Sequence, residues 1–81
     1  MEIKVFESKG INIAEIVSEK ILINETQDAV DLMGNCTYNG SYHIIVHQKN
    51  LCPVFFDLKT RLAGDILQKF SNYNVKLAIN W

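Results

Sequence analysis

Tyr42-His43-Ile44-Ile45-Val46-His47 is the stretch on which the reading of this chain turns. Three consecutive β-branched residues suit an extended backbone, and an unbroken apolar run suits a central strand buried on both faces. Helical patterns lie on either side of it. Upstream, Asn24 offers an N-cap, with Gln27 three residues on as the reciprocal partner of a capping box. Ala29, Leu32, Met33 and Cys36 then recur at the i, i+3, i+4, i+7 spacing of one helix face. That helix is predicted to end between Cys36 and Tyr38, before Asn39-Gly40. Downstream, Gln48 to Pro53 reads as a loop, and Pro53 suits a first helical position. The second helix is therefore expected to begin there or near Asp57. Leu58, Leu62, Ile66 and Phe70 recur every fourth residue, with Ala63 and Leu67 beside them, and Val75 to Ile79 follows as a last strand.

Towards the N-terminus, Ile3 and Val5 alternate with polar residues, and Ser8-Lys9-Gly10 predicts a hairpin turn. Ile11 to Val17 is apolar at both parities (Ile11, Ile13, Val17 and Ala14, Ile16), so it reads as a strand covered on one side and partly on the other. Ser18-Glu19-Lys20 predicts a turn and Ile21-Leu22-Ile23 a short third strand. The resulting order is β-β-β-α-β-α-β in one domain spanning residues 1–81. Two strand–helix–strand crossovers in succession predict an α/β fold with a small mixed sheet, an antiparallel hairpin leading into a parallel core.

At 81 residues the burial margin is thin, because chains this short hide only about 60% of their unfolded surface. Apolar residues make up 48% of the chain and the formal net charge is −1, a balance that argues against disorder. With acids and bases interspersed there is no basic field for nucleic acid. No run approaches the roughly 20 apolar residues of a membrane span, and no signal-like start is seen. The expected location is the cytoplasm. Cys36 and Cys52, with no Cys-x-x-Cys pairing, are expected to be free thiols behaving as small buried hydrophobes.

No catalytic motif, cofactor fingerprint or metal-ligand spacing is present. His43 and His47 are four residues apart, which on a strand separates them by roughly 13 Å and prevents chelation of one ion. His47 has more to offer: it closes a central strand at its carboxyl end, where open α/β sheets bind ligands. Asn50, Asp57, Lys59 and Thr60 follow in the next loop and helix start. These five are the candidate binding residues, although Asp57 also reads as a plain N-cap to Lys59 and Thr60. Cys52 before Pro53 gains nothing beyond its place at a helix start.

Asp28-Ala29-Val30-Asp31-Leu32-Met33-Gly34-Asn35-Cys36, Asn50-Leu51-Cys52-Pro53-Val54-Phe55-Phe56-Asp57-Leu58-Lys59-Thr60 and Ala63-Gly64-Asp65-Ile66-Leu67-Gln68-Lys69-Phe70-Ser71 together resemble the bacterial domain of unknown function 4180 family over nearly the whole chain. That resemblance implies no particular activity. Members of the family usually continue past the last strand with a Gly-Asp turn and a further helix. The element order is also similar, more distantly, to sulfate-transporter/anti-sigma-antagonist domains, which carry a phosphorylatable serine at the loop leading into a helix. Here that stretch is Phe56-Asp57-Leu58-Lys59, and Thr60 is the nearest hydroxyl.

The functional expectation is a small regulatory or interaction module binding a protein partner. Alternatives are a small ligand-binding protein or enzyme using His47, Asn50 and Asp57, and a phage or mobile-element inhibitor of a host factor. Two crossover helices on one side of a sheet leave the other side wanting cover, so a homodimer is expected, with Ile16 and Trp81 at its interface.

Overall fold

The computed structural model describes residues 1–81. Its sheet has four strands, β1 (Glu2–Ser8), β2 (Ile11–Val17), β3 (His43–His47) and β4 (Lys76–Asn80), in the order β1-β2-β3-β4. Lys9 and Gly10 turn the first hairpin with φ of 54° and 80°, left-handed conformations that fit the twist of antiparallel strands. β1 pairs antiparallel with β2, whereas β2–β3 and β3–β4 are parallel. Ile44-Ile45-Val46 thus lies in an interior strand flanked on both edges, but it is buried on one face only: Ile44 and Val46 enter the core, while Ile45 is half-buried on the face that no helix covers.

Two helices make the crossovers, α1 (Thr26–Tyr38) between β2 and β3 and α2 (Leu62–Asn72) between β3 and β4. Successive right-handed crossovers that step the same way through a sheet place their helices on one face, and α1 and α2 pack together there. Beneath them lie Ala14 and Ile16 from β2 and Ile44 and Val46 from β3, all between 0% and 1% exposed. Ala29, Leu32, Met33 and Cys36 of α1 and Ile66 and Phe70 of α2 close the core from above. Each of the larger of these side chains, the Ile, Leu, Val, Met and Phe, contributes about 1.5–3 kcal/mol through burial.

The structure corrects the sequence reading at several points. Ile21-Leu22-Ile23 is no strand: only Ile23 makes a single parallel bridge, to Leu51. Leu22 and Ile23 both donate their N–H to Asn50 O, at 2.8 and 3.0 Å, so this segment is bound to a loop and has no ladder to extend. The capping residue of α1 is Glu25, not Asn24. Asp28, rather than Gln27, reaches back, its Oδ2 accepting from the N–H of Asn24 at 2.9 Å and of Glu25 at 3.2 Å; a carboxylate also suits the positive end of the helix better than an amide. α2 starts only at Leu62, after two 3₁₀ turns, Pro53–Phe56 and Leu58–Thr60. Arg61 interrupts the helical path in the left-handed region, with φ 62°, which strands Leu58 on the surface at 88% exposure. Leu67 is half-exposed rather than core. β3 and β4 each begin one residue later than their apolar runs suggest.

Ile16 also needs correction. It is fully buried under the helices, because the strand parity that carries Ala14 inward carries Ile16 with it. A partner cannot reach it. Trp81 is 73% exposed and packs one face near Phe56, with ring centroids 5.2 Å apart.

Candidate functional site

The second face of the sheet carries no helix. Strand parity and register place its residues in rows. Phe6 pairs with Ile13, which is level with His43 and then Lys76; Lys4 pairs with Glu15, level with Ile45 and then Ala78. Phe6 and Ile13 in one row and Ile45 and Ala78 in the next form an apolar diagonal across all four strands. Lys4 and Glu15 border it on one side, His43 and Lys76 on the other. Ile13 and Ile45 are half-buried and Phe6 is 43% exposed.

At the carboxyl ends of the strands this face holds a polar chain of three. His47 Nε2 lies 2.8 Å from Glu15 Oε2, and His47 Nδ1 lies 3.1 Å from Asn80 Nδ2. The ring thus has a carboxylate at Nε2 and a side-chain amide at Nδ1. Both ring nitrogens are therefore engaged. The imidazole joins β2, β3 and β4 across the sheet. Beside it, His47, Gln48, Lys49, Asn80 and Trp81 line a shallow cleft of about 240 Å³. Lys49 there is paired with both carboxylate oxygens of Glu19 at 2.9 Å, which leaves the cleft little net positive charge for an anion.

The other predicted binding residues go elsewhere. Asn50 is fully buried. Its Nδ2 donates to Ser18 O and Lys20 O, both at 2.9 Å, and its Oδ1 accepts from His47 N at 3.2 Å. It holds the loop after β3 to the segment after β2. Asp57 Oδ1 accepts from Lys59 N at 3.0 Å, the N-cap role its sequence allowed. Thr60 Oγ1 donates towards Val54 O at 3.0 Å and Asp57 O at 2.8 Å. Lys59 is exposed. His47, Asn50 and Asp57 thus do not converge, since Asn50 faces inward and Asp57 caps a separate turn.

One concavity was missed by sequence reasoning. Val30, Met33, Gly34, Thr37, Tyr42 and Tyr73 line an open groove of about 450 Å³ on the helical side. The available signal was a second i, i+4, i+7 stripe, Val30-Gly34-Thr37, running beside the buried one. Cys36 and Cys52 are both free and buried, and burial raises the Cys36 thiol above its ordinary pKa. Ser41 Oγ is buried without a hydrogen-bond partner. No cluster of His, Cys, Asp or Glu is grouped to hold a metal ion, and no helix is long and apolar enough to cross a membrane.

Residues 8–80 match the model of a family described as Domain of unknown function (DUF4180). Comparison with curated proteins and with solved structures returns no match.

Proposed function

The chain belongs to the DUF4180 family, and we propose that it acts as a small interaction module that presents the uncovered face of its sheet to a protein partner. The observation that carries this reading is the apolar diagonal Phe6–Ile13–Ile45–Ala78 on a face with no helix over it. Exposed apolar bands rimmed by polar residues mark interaction sites. The complementary element is apolar along its middle and carries charges of both signs at its margins, to meet Lys4, Glu15 and Lys76. The Glu15–His47–Asn80 chain serves this surface by fixing the strand ends, a preorganising role. Two buried free thiols support work in a reducing compartment, the cytoplasm.

The likeness to anti-sigma-antagonist domains belongs to the same reading and rests on the β-α-β-α-β order from β2 to β4. The loop that carries the phosphorylated serine there offers Thr60 here, whose hydroxyl is already bound to two carbonyl oxygens.

Photo-crosslinking in cells tests the proposal. A photoreactive residue at position 45 is expected to give a discrete adduct that Ile13→Lys abolishes with the far-UV spectrum unchanged. The same label at Gln68, exposed on α2, is expected to give none. Identical adduct patterns from the two positions would refute the open-face reading.

A further inference from the structure

The free edge of the sheet at β4 carries a second interaction surface. We infer that β4 pairs antiparallel with β4 of a second copy about a two-fold axis at Ala78, joining two four-stranded sheets into one of eight.

The backbone gives the geometry. Lys76 N donates to Tyr42 O at 2.9 Å, so at Lys76 the peptide groups face β3. Strand groups alternate sides. Those of Ala78 and Asn80 face β3 as well, while the N–H and C=O of Leu77 and Ile79 point out of the sheet. In an antiparallel pair centred on Ala78, Leu77 lies opposite the partner's Ile79 and exchanges two hydrogen bonds with it; the symmetric pair supplies two more. All four outward groups of the strand are then satisfied on each copy.

Charge selects this edge and this register. β1, the other edge, has three charged residues among seven (Glu2, Lys4, Glu7), a pattern that blunts edge pairing. β4 has one, Lys76. Centring on Ala78 sets each Lys76 opposite the partner's Asn80 and keeps the two ammonium groups apart. Asn80 commits its Nδ2 to His47, which leaves its Oδ1 to accept from the lysine. The two Ala78 side chains meet at the axis on the open face, and small residues suit the close approach of a non-hydrogen-bonded pair. On the core side, Leu77 and Ile79 already pack against the hydrophobic core, so the two cores approach each other across the axis.

The inference shares Ala78 with the open-face reading, and the Ile45→Lys variant together with amide exchange at Leu77 and Ile79 separates the two. Sedimentation equilibrium from micromolar to near-millimolar protein is expected to show a monomer–dimer equilibrium. Ala78→Lys and Ala78→Glu, each placing like charges opposite one another, are expected to weaken it tenfold or more. Mixing the two variants is expected to restore association as a heterodimer. Amide exchange at Leu77 and Ile79, which have no partner within the chain, is expected to slow with increasing concentration, and Ile45→Lys on the open face to leave both results unchanged. A monomer at every concentration overturns the inference. So does a dimer that ignores both Ala78 variants, or one that Ile45→Lys abolishes while Leu77 and Ile79 exchange at a constant rate.

Discussion

Replacing Asn50 by alanine separates a binding role from an architectural one. The side chain is fully buried and makes three hydrogen bonds, to Ser18 O, Lys20 O and His47 N. At about 0.5–1.5 kcal/mol net for each bond, the loss comes to roughly 1.5–4.5 kcal/mol. The lower half of that range applies if water reaches the two carbonyls, since Lys20 is exposed and Ser18 half-buried. For a domain of this size a loss of about 2 kcal/mol lowers Tm by roughly 8–16 °C. Urea denaturation followed by far-UV circular dichroism reads it directly, as a shift in midpoint with unchanged slope. Asn50→Asp provides the control. It keeps an acceptor for His47 N but sets a carboxylate against two carbonyl oxygens, so it should be at least as damaging at neutral pH. Burial against two carbonyl oxygens disfavours the charged form of that carboxyl and is expected to raise its native pKa. The penalty therefore grows as pH rises through about 3.9, the unfolded value, and is relieved below it. A midpoint shift equivalent to less than about 0.5 kcal/mol for Asn50→Ala would refute the argument that this residue is a structural tie.

Ile66→Ala removes a fully buried side chain from the core face of α2 and should cost about 2–5 kcal/mol, measured by the same melts. Gly34→Ala should go the other way: a Cβ there meets nothing within 4 Å, so the variant gains about 0.5–1 kcal/mol of helix propensity; a loss of stability would show that the groove beside Tyr42 and Tyr73 depends on the open position. Cys36 should resist alkylation in the native protein and react on unfolding, because burial disfavours its thiolate. Its contribution to stability is full below pH 9.0, the ordinary thiol value, and declines as pH climbs from there towards the raised native value; a rate matching that of a free thiol at pH 8 would contradict it.

Hydrophobic periodicity made the parallel core legible. Ile44 and Val46, the stripe Ala29–Leu32–Met33–Cys36 and the pair Ile66 and Phe70 all lie where their spacing indicates, whereas Ile45, read as buried with its neighbours, is half-buried on the uncovered face. Periodicity misled where a backbone detail outside its scope took over. Leu58 continues the four-residue spacing of α2, yet the left-handed turn at Arg61 separates it from the helix. Ile21-Leu22-Ile23 has the composition of a strand, but β1 and β2 already pair along their whole lengths and Asn50 holds the segment instead. The candidate site was legible in part. His47 sits at a strand end on a side-chain surface, as expected, but its partners Glu15 and Asn80 are 32 and 33 residues away in sequence. Only the strand register joins them, and no local spacing reveals it. Asn50 and Asp57 looked like ligand groups because polar residues near a strand end serve both roles; burial and backbone partners assign them to the loop. The same lack of register hid the open apolar diagonal, whose members lie on four separate strands.

The Asn50 tie has a kinetic consequence. It joins residues 30 and 32 positions apart, across a loop containing all of α1, so it closes only after β2 and β3 have come into register. Interactions completed after the transition state slow unfolding without speeding folding. Removing the tie should therefore leave the refolding limb of a chevron nearly in place and raise the unfolding limb without changing its slope. In a chain this small, a side chain that neither nucleates the fold nor touches a partner would then set how long each molecule stays folded once made.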